Sequence, residues 1–122
     1  NIKVLGKLQH DEAMQYLAGC GILLFPSLWH EPLSRVLVEA SSIGKPIIAT
    51  NTGGTPDIIK DGKTGILCNT EVKEFSQKLS NLLSDSTLRK RLSINARKEA
   101  KKNFGKGVII KKIETLYNSL AK

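Results

Sequence analysis

A chain of 122 residues supports one hydrophobic core and not two. Hydrophobic residues at 40% and charged residues at 25% describe an ordinary globular domain, which excludes fibrous and disordered classes, and no apolar run reaches the roughly 20 residues of a bilayer-spanning helix. The net charge of +8 sits in the last third, where from Ser86 onward eleven Lys and Arg stand against only Glu99 and Glu114.

The first residue is Asn1, directly followed by the apolar run Ile2–Leu5, which reads as a strand ended by Gly6. A natural start rarely falls inside a strand, and no basic-then-apolar leader precedes it, so the chain reads as part of a longer protein. His10-Asp11-Glu12 opens a helix with Asp11 as the cap and Ala13, Tyr16 and Leu17 at helical spacing. Ala18 to Gly21 break it, and Ile22–Phe25 is a continuous apolar run suited to a strand buried on both faces. A loop from Leu28 to Leu33 leads into a helix from about Ser34 to Ile43, with Val36, Ala40 and Ile43 as its apolar stripe and Leu37 beside it.

Gly44-Lys45-Pro46 ends that helix, and Ile47–Ala49 is the next strand. Thr52-Gly53-Gly54 turns into a brief helix with Thr55 at the cap, Pro56 at the first helical position and Ile58-Ile59 buried. Asp61-Gly62 turns, and Gly65–Cys68 is a last strand. Three helices follow, 71–83, 86–102 and 106–121. Leu79, Leu82 and Leu83 face inward on the first, and Ile109, Ile113, Leu116, Tyr117 and Leu120 on the last. Short apolar strands alternating with helices predict a Rossmann-like α/β fold, a parallel sheet with helices on both faces. In such sheets ligands gather where loops leave the carboxyl ends of the strands, here after Leu5, Phe25 and Ala49.

The segment from Pro26 to Ala40 carries most of the chemistry. A sheet-edge loop feeds straight into a helix N-terminus, so free N–H groups near residues 34–36 and the positive dipole end form an anion site. Arg35 either strengthens that site or lies solvated on the surface. Glu39 lies about 8 Å further along the helix axis, and Glu31 sits in the loop on the other side of the anion position. Two acceptors flanking an anion site suit a molecule with hydroxyls at both ends and a diphosphate between them, as in a nucleotide-sugar. By spacing alone this is suggestive, because an acid before a helix and another inside it are common.

Pro26-Ser27, Glu31-Pro32, Glu39-Ala40, Gly44-Lys45-Pro46, Ala49-Thr50, Gly53-Gly54-Thr55-Pro56-Asp57 and Asp61-Gly62-Lys63-Thr64-Gly65 occur in the order and spacing of family 4 (group 1) glycosyltransferases. The chain resembles the C-terminal domain of their two-domain GT-B fold over essentially its whole length. The resemblance implies that residues 1–122 are one partial domain, the back half of the nucleotide-sugar-binding domain. It implies transfer of a sugar to an acceptor with retained configuration, by front-face departure of the diphosphate without a protein nucleophile. Glu39 would hold the ribose, and Glu31 would contact the transferred sugar or stabilise charge near the reacting carbon. Backbone N–H groups of Leu33, Ser34, Arg35 and Val36 would bind the diphosphate, Gly6 and Lys7 would lie near the nucleobase, and Gly53 and Gly54 would form a turn facing the donor. Turn geometry alone explains the two glycines equally well. An Arg and a Lys on the β-phosphate belong to an upstream half, and the acceptor site to another domain, so this chain alone should be inactive. The last helix, 106–121, would pack back toward that other domain, which would leave its apolar stripe partly exposed here. The base (uridine, guanosine or adenosine) and the glycan or lipid-linked acceptor stay open, and no metal or other cofactor is expected.

Leu33-Ser34 departs from the family's usual Phe-Gly, although Ser34 is able to cap the helix. Asp57 replaces the commoner Glu. His30 reads as a loop-surface residue, Trp29 as packed under the loop, His10 as part of a helix start, and Cys20 and Cys68 as small apolar residues at strand edges. The basic tail fits two solvated amphipathic helices. It also fits attraction to phospholipid headgroups by a cytoplasmic protein peripheral at the inner face of a membrane. No aromatic residues interleave its cations, so nucleic acid is not expected. A non-catalytic nucleotide- or phosphate-binding module is the rival function.

Overall fold

The structure is a computed structural model that describes residues 1–121; Lys122, the last cation of the tail, lies outside the described residues. Nine elements follow in chain order: α1 (His10–Gly19), β1 (Leu23–Phe25), α2 (Arg35–Ser42), β2 (Ile47–Thr50), α3 (Thr55–Ile58), β3 (Ile66–Cys68), α4 (Val72–Ser84), α5 (Ser86–Phe104) and α6 (Lys106–Leu120). The strands form a parallel sheet in the order β1-β2-β3, with Leu23 opposite Ile47 and Ile48 opposite Ile66. The Rossmann-like α/β class expected from the alternation of elements is the fold observed.

The core is divided by the pleat of β2, whose four residues are all buried. Successive side chains point to opposite faces of a strand. Ile47 and Ala49 accordingly pack with Leu17 of α1, Leu37 and Ala40 of α2 and Ile58 and Ile59. Ile48 packs on the other face with Cys68, Leu82 of α4 and Leu92 of α5. Helices thus cover both faces. α2 and α5 lie against each other, and Ala40 and Ser41 on the one and Ala96 and Ala100 on the other are all buried. At the end of this seam a Cβ on Gly44 would come within 3.2 Å of the Ser93 carbonyl oxygen.

Several local expectations change. Ile2–Leu5 is not a strand: no ladder forms there, and Ile2 and Val4 stand almost fully exposed. An apolar run becomes a strand only against a neighbour that takes its N–H and C=O groups. β1 is the outer strand of the described sheet, and its Leu24 is 43% exposed rather than buried on both faces. The buried stripe of α2 is Leu37, Ala40 and Ser41, rotated away from Ile43, because α5 takes a share of its inner face. On α4, Leu82 faces inward and Leu83, the next residue about 100° further round, is 59% exposed. α1 is capped at Gln9, whose N–H donates to Glu12 Oε2 at 3.2 Å, and α3 at Gly54, one residue earlier than Thr55. The apolar stripe of α6 is not turned into this core: among the described residues nothing covers it, and Ile109, Ile113, Leu116, Tyr117 and Leu120 are all exposed, in line with a helix expected to pack toward another domain. Among the described residues no helix is long and apolar enough to cross a membrane.

Candidate functional site

The loops leaving the carboxyl ends of β1 and β2 are joined to each other by main-chain and hydroxyl bonds. Thr50 at the end of β2 donates its hydroxyl to the Ser27 carbonyl and more weakly, at 3.4 Å, to that of Phe25. Thr52 donates to the same Ser27 carbonyl at 3.0 Å. Four residues on, the Glu31 carbonyl accepts the Gly54 N–H at 2.7 Å, and the Glu31 N–H donates to Trp29 O at 3.0 Å.

The Gly53-Gly54 pair is what allows this approach. A Cβ on Gly53 would meet the Glu31 carbonyl oxygen at 2.6 Å and its nitrogen at 2.8 Å. On Gly54 it would meet the Pro32 carbonyl oxygen at 1.9 Å. Gly53 also has φ +51, in the left-handed region that costs other residues about 1–2 kcal/mol. The two glycines therefore lie against the main chain of residues 30–32. That contact is a third account of them, beside a free turn or a surface turned toward a ligand.

The loop delivers the chain to α2, where Ser34 is the N-cap. Its carbonyl accepts the Val38 N–H at 3.3 Å, but its hydroxyl makes no capping bond, contrary to the role its residue type suggests. The N–H groups of Arg35, Val36 and Leu37 then have no partner from a cap or turn among the described residues. Aligned amides at the positive end of a helix dipole attract an anion. Leu33, just before, is half exposed, and Val36 is half-buried.

Arg35 does not reach over that end of the helix. Its guanidinium lies 3.7 Å from Glu39 Oε1, one turn along, and is 83% exposed. His10, at the start of α1, brings its imidazole Nε2 within 3.8 Å of the same oxygen. Glu39, 28% exposed, is thus flanked from two helices. It is also the only charged residue in the wall of a cavity of about 320 Å³ between α1 and α2, otherwise lined by groups such as Met14, Leu17, Leu23 and Val36. His10 was not singled out by any spacing; it enters because the packing of α1 sets its first turn beside α2. Gly6, at φ +68, and Lys7 are exposed in the segment leading to α1, and no described contact ties either to the Glu39 cluster.

Of the loop residues, Glu31 is half-buried and His30 exposed. Trp29 is 75% exposed and not packed beneath the loop. The bonds at Ser27 and Glu31 already hold the loop, so the indole is not needed as its support. Cys68 is buried with its thiol pushed up by burial, and Cys20 donates its thiol to Leu17 O at 3.2 Å, so both sit as structural groups. Among the described residues no three His, Cys, Asp or Glu side chains gather as a metal-binding group.

The sequence model of "Glycosyl transferases group 1" matches residues 1–99, most of the chain. The chain belongs to the group 1 glycosyl transferases. Spore coat protein SA of Bacillus subtilis is 41% identical over 86 residues, 69% of this chain and 23% of that protein. HepE of Anabaena, solved in complex with UDP, superimposes with a TM-score of 0.82 at 28% identity, covering 86% of this chain and 29% of HepE. The C-terminal domain of the group 1 protein LpcC from Francisella tularensis superimposes with a TM-score of 0.67 at 26% identity, covering 84% of this chain and 51% of that domain. This group 1 chain therefore spans about a quarter of each of the first two relatives. Membership in a transferase family weighs against the non-catalytic module as the rival reading.

Proposed function

We propose that this group 1 chain is the part of a retaining, family 4 GT-B glycosyltransferase that holds the nucleotide-sugar donor. The observation that carries the reading is the open amide end of α2, with Glu31 before it and Glu39 after it, in a chain whose structural relative HepE has been solved with UDP and with UDP-glucose. The amides of Leu33 to Val36 take the diphosphate, Glu39 accepts the ribose hydroxyls, and Glu31 accepts hydroxyls of the transferred hexose. Gly6 and Lys7 lie toward the base. Gly53 and Gly54 act on the donor indirectly, by holding the main chain that carries Glu31. The likeness to the LpcC C-terminal domain supports placing residues 1–122 in the donor domain.

In the reaction, the bond from the anomeric carbon to the diphosphate oxygen breaks, and the acceptor oxygen bonds to the same face. The acceptor's proton passes to the leaving diphosphate. This chain's part is to bind and orient the diphosphate and offset its charge with amide dipoles, without a metal. The acceptor, a glycan or lipid-linked sugar, is bound elsewhere in the whole protein, so the 122-residue chain alone does not turn over.

Amide NMR titration of the chain with UDP, GDP and ADP, repeated on Glu39→Ala, tests the reading. Shifts clustered at residues 33–39, joined by Gly6 and Lys7, are expected for one nucleotide, with binding weakened about tenfold or more in the variant by loss of a charge-assisted hydrogen bond. Saturable binding that maps elsewhere, or is indifferent to Glu39 in the whole protein, would overturn it.

A further inference from the structure

The outer face of α5 carries a feature that donor binding leaves unused. Lys90, Arg91, Arg97, Lys98, Lys101 and Lys102 are all exposed. At about 100° per residue they fall within roughly 140° of arc on the side opposite the buried Leu92, Ala96 and Ala100, over about 18 Å of helix. No acid shares that arc. The nearest, Glu99, lies on the flank and accepts a hydrogen bond from Asn103 Nδ2 at 3.0 Å. None of the six cations forms an ion pair among the described residues. Asn95 donates to the Lys63 carbonyl at 3.0 Å, which brings the 60–63 turn, with Lys60, Asp61 and Lys63, against the same helix.

Keeping so many like charges together unpaired costs self-repulsion, which an opposite charge from outside relieves. The partner's chemistry follows from what else is exposed. Ile94 stands 58% exposed within the cationic arc. No aromatic side chain lies on the outer face of α5 to stack on a base, as single-stranded nucleic acid requires. Cations ringing an exposed aliphatic side chain match the boundary of an anionic bilayer, where headgroup phosphates lie above acyl chains.

We infer that the outer face of α5 docks the protein on an anionic phospholipid bilayer. The contact uses none of the residues placed at the donor site, so its test needs no nucleotide-sugar and its failure leaves the donor reading standing. The whole protein is sedimented with vesicles of phosphatidylcholine alone and with vesicles containing one-third phosphatidylglycerol, at low and high salt. Binding is expected only to the anionic vesicles, released by 0.5 M NaCl, where the screening length is about 4 Å. The triple variant Lys90→Gln, Arg97→Gln, Lys101→Gln is expected to lower partitioning about a hundredfold. Lys90→Arg with Lys101→Arg is expected to keep it. The three positions are exposed, and circular dichroism and a thermal melt check that the triple variant folds. Equal binding to neutral vesicles, full binding by the folded triple variant, or tighter binding to poly(U) than to anionic vesicles would each overturn the inference.

Discussion

Replacing Gly54 by Ala tests how closely the two site loops depend on each other. Gly54 has φ −82 and ψ 6, a conformation open to any residue, so the backbone carries no strain. The whole cost lies in the new methyl, which would stand 1.9 Å from the Pro32 carbonyl oxygen and 2.7 Å from its carbon. Since Cβ atoms essentially never approach within 3.0 Å, the Pro32 carbonyl has to retreat by about 1.1 Å. Overpacking of this kind costs about 1–3 kcal/mol, and stretching the 2.7 Å bond from Gly54 N–H to Glu31 O adds about 1 kcal/mol. Urea unfolding should therefore show a loss of about 2–4 kcal/mol with an unchanged slope. The retreat also carries Glu31 with it, and a displacement of about 1 Å costs on the order of a hundredfold in turnover by the whole protein. Gly62→Ala is the control: φ there is +69 with nothing within 4 Å, so it should lose about 1–2 kcal/mol of stability from backbone strain and no activity. If Gly54→Ala keeps wild-type stability and turnover, or Gly62→Ala loses as much activity, the coupling of the loops is refuted.

Thr50→Val removes a hydroxyl that is 2% exposed along with its bonds to the Ser27 and Phe25 carbonyls, and should cost about 1–3 kcal/mol in urea unfolding. Leu37→Ala, at a fully buried site clustered with Leu17, Ile47 and Ala49, should cost about 2–5 kcal/mol in the same assay. Glu39→Gln should weaken nucleotide binding while leaving the melting temperature within a degree or two, because exposed pairs such as that with Arg35 contribute about 0–1 kcal/mol. The Lys78 hydrogen bond holds the Glu74 carboxyl below its usual range, so this group's contribution is present above its unfolded value of 4.5 and lost as pH falls through the folded one. The Glu74 bond raises Lys78, whose contribution is present below 10.5 and lost as pH rises through its folded value. Acid unfolding of Glu74→Gln should therefore lack part of the wild type's loss of stability below about pH 5.

Much of the fold was legible because β2 and its neighbours are written in local patterns. Ile47 to Thr50 and Ile66 to Cys68 are short apolar runs bounded by Gly and Pro, and the helices carry their own periodicity. Where the partner was the deciding factor, local pattern failed. Ile2–Leu5 has strand chemistry and, among the described residues, no strand beside it, and Leu83 has the same side chain as Leu82 but points the other way. The same division holds at the site. The anion-attracting start of α2 and the two acids on either side of it follow from a loop meeting a helix, and spacing exposes both. That His10 stands 3.8 Å from Glu39, or that a methyl on Gly54 would strike Pro32, depends on how distant segments pack. The end-of-strand threonines, Thr50 and Thr52, were the one available signal for the clamp on Ser27, since a hydroxyl leaving a sheet seeks a carbonyl to satisfy.

The stitching of these loops bears on how such a site changes over generations. The Ser27 and Glu31 carbonyls are held by groups from the β2 side, and two positions there tolerate nothing larger than hydrogen. Mutations that reshape this backbone are penalised in stability before they are tried for a new substrate. Side chains that project from it without supporting it, such as the exposed Trp29 and the half-exposed Leu33, are free to vary at little cost. Substrate preference in descendants of this sequence should therefore drift through those projecting groups while the path of the main chain beneath them stays fixed.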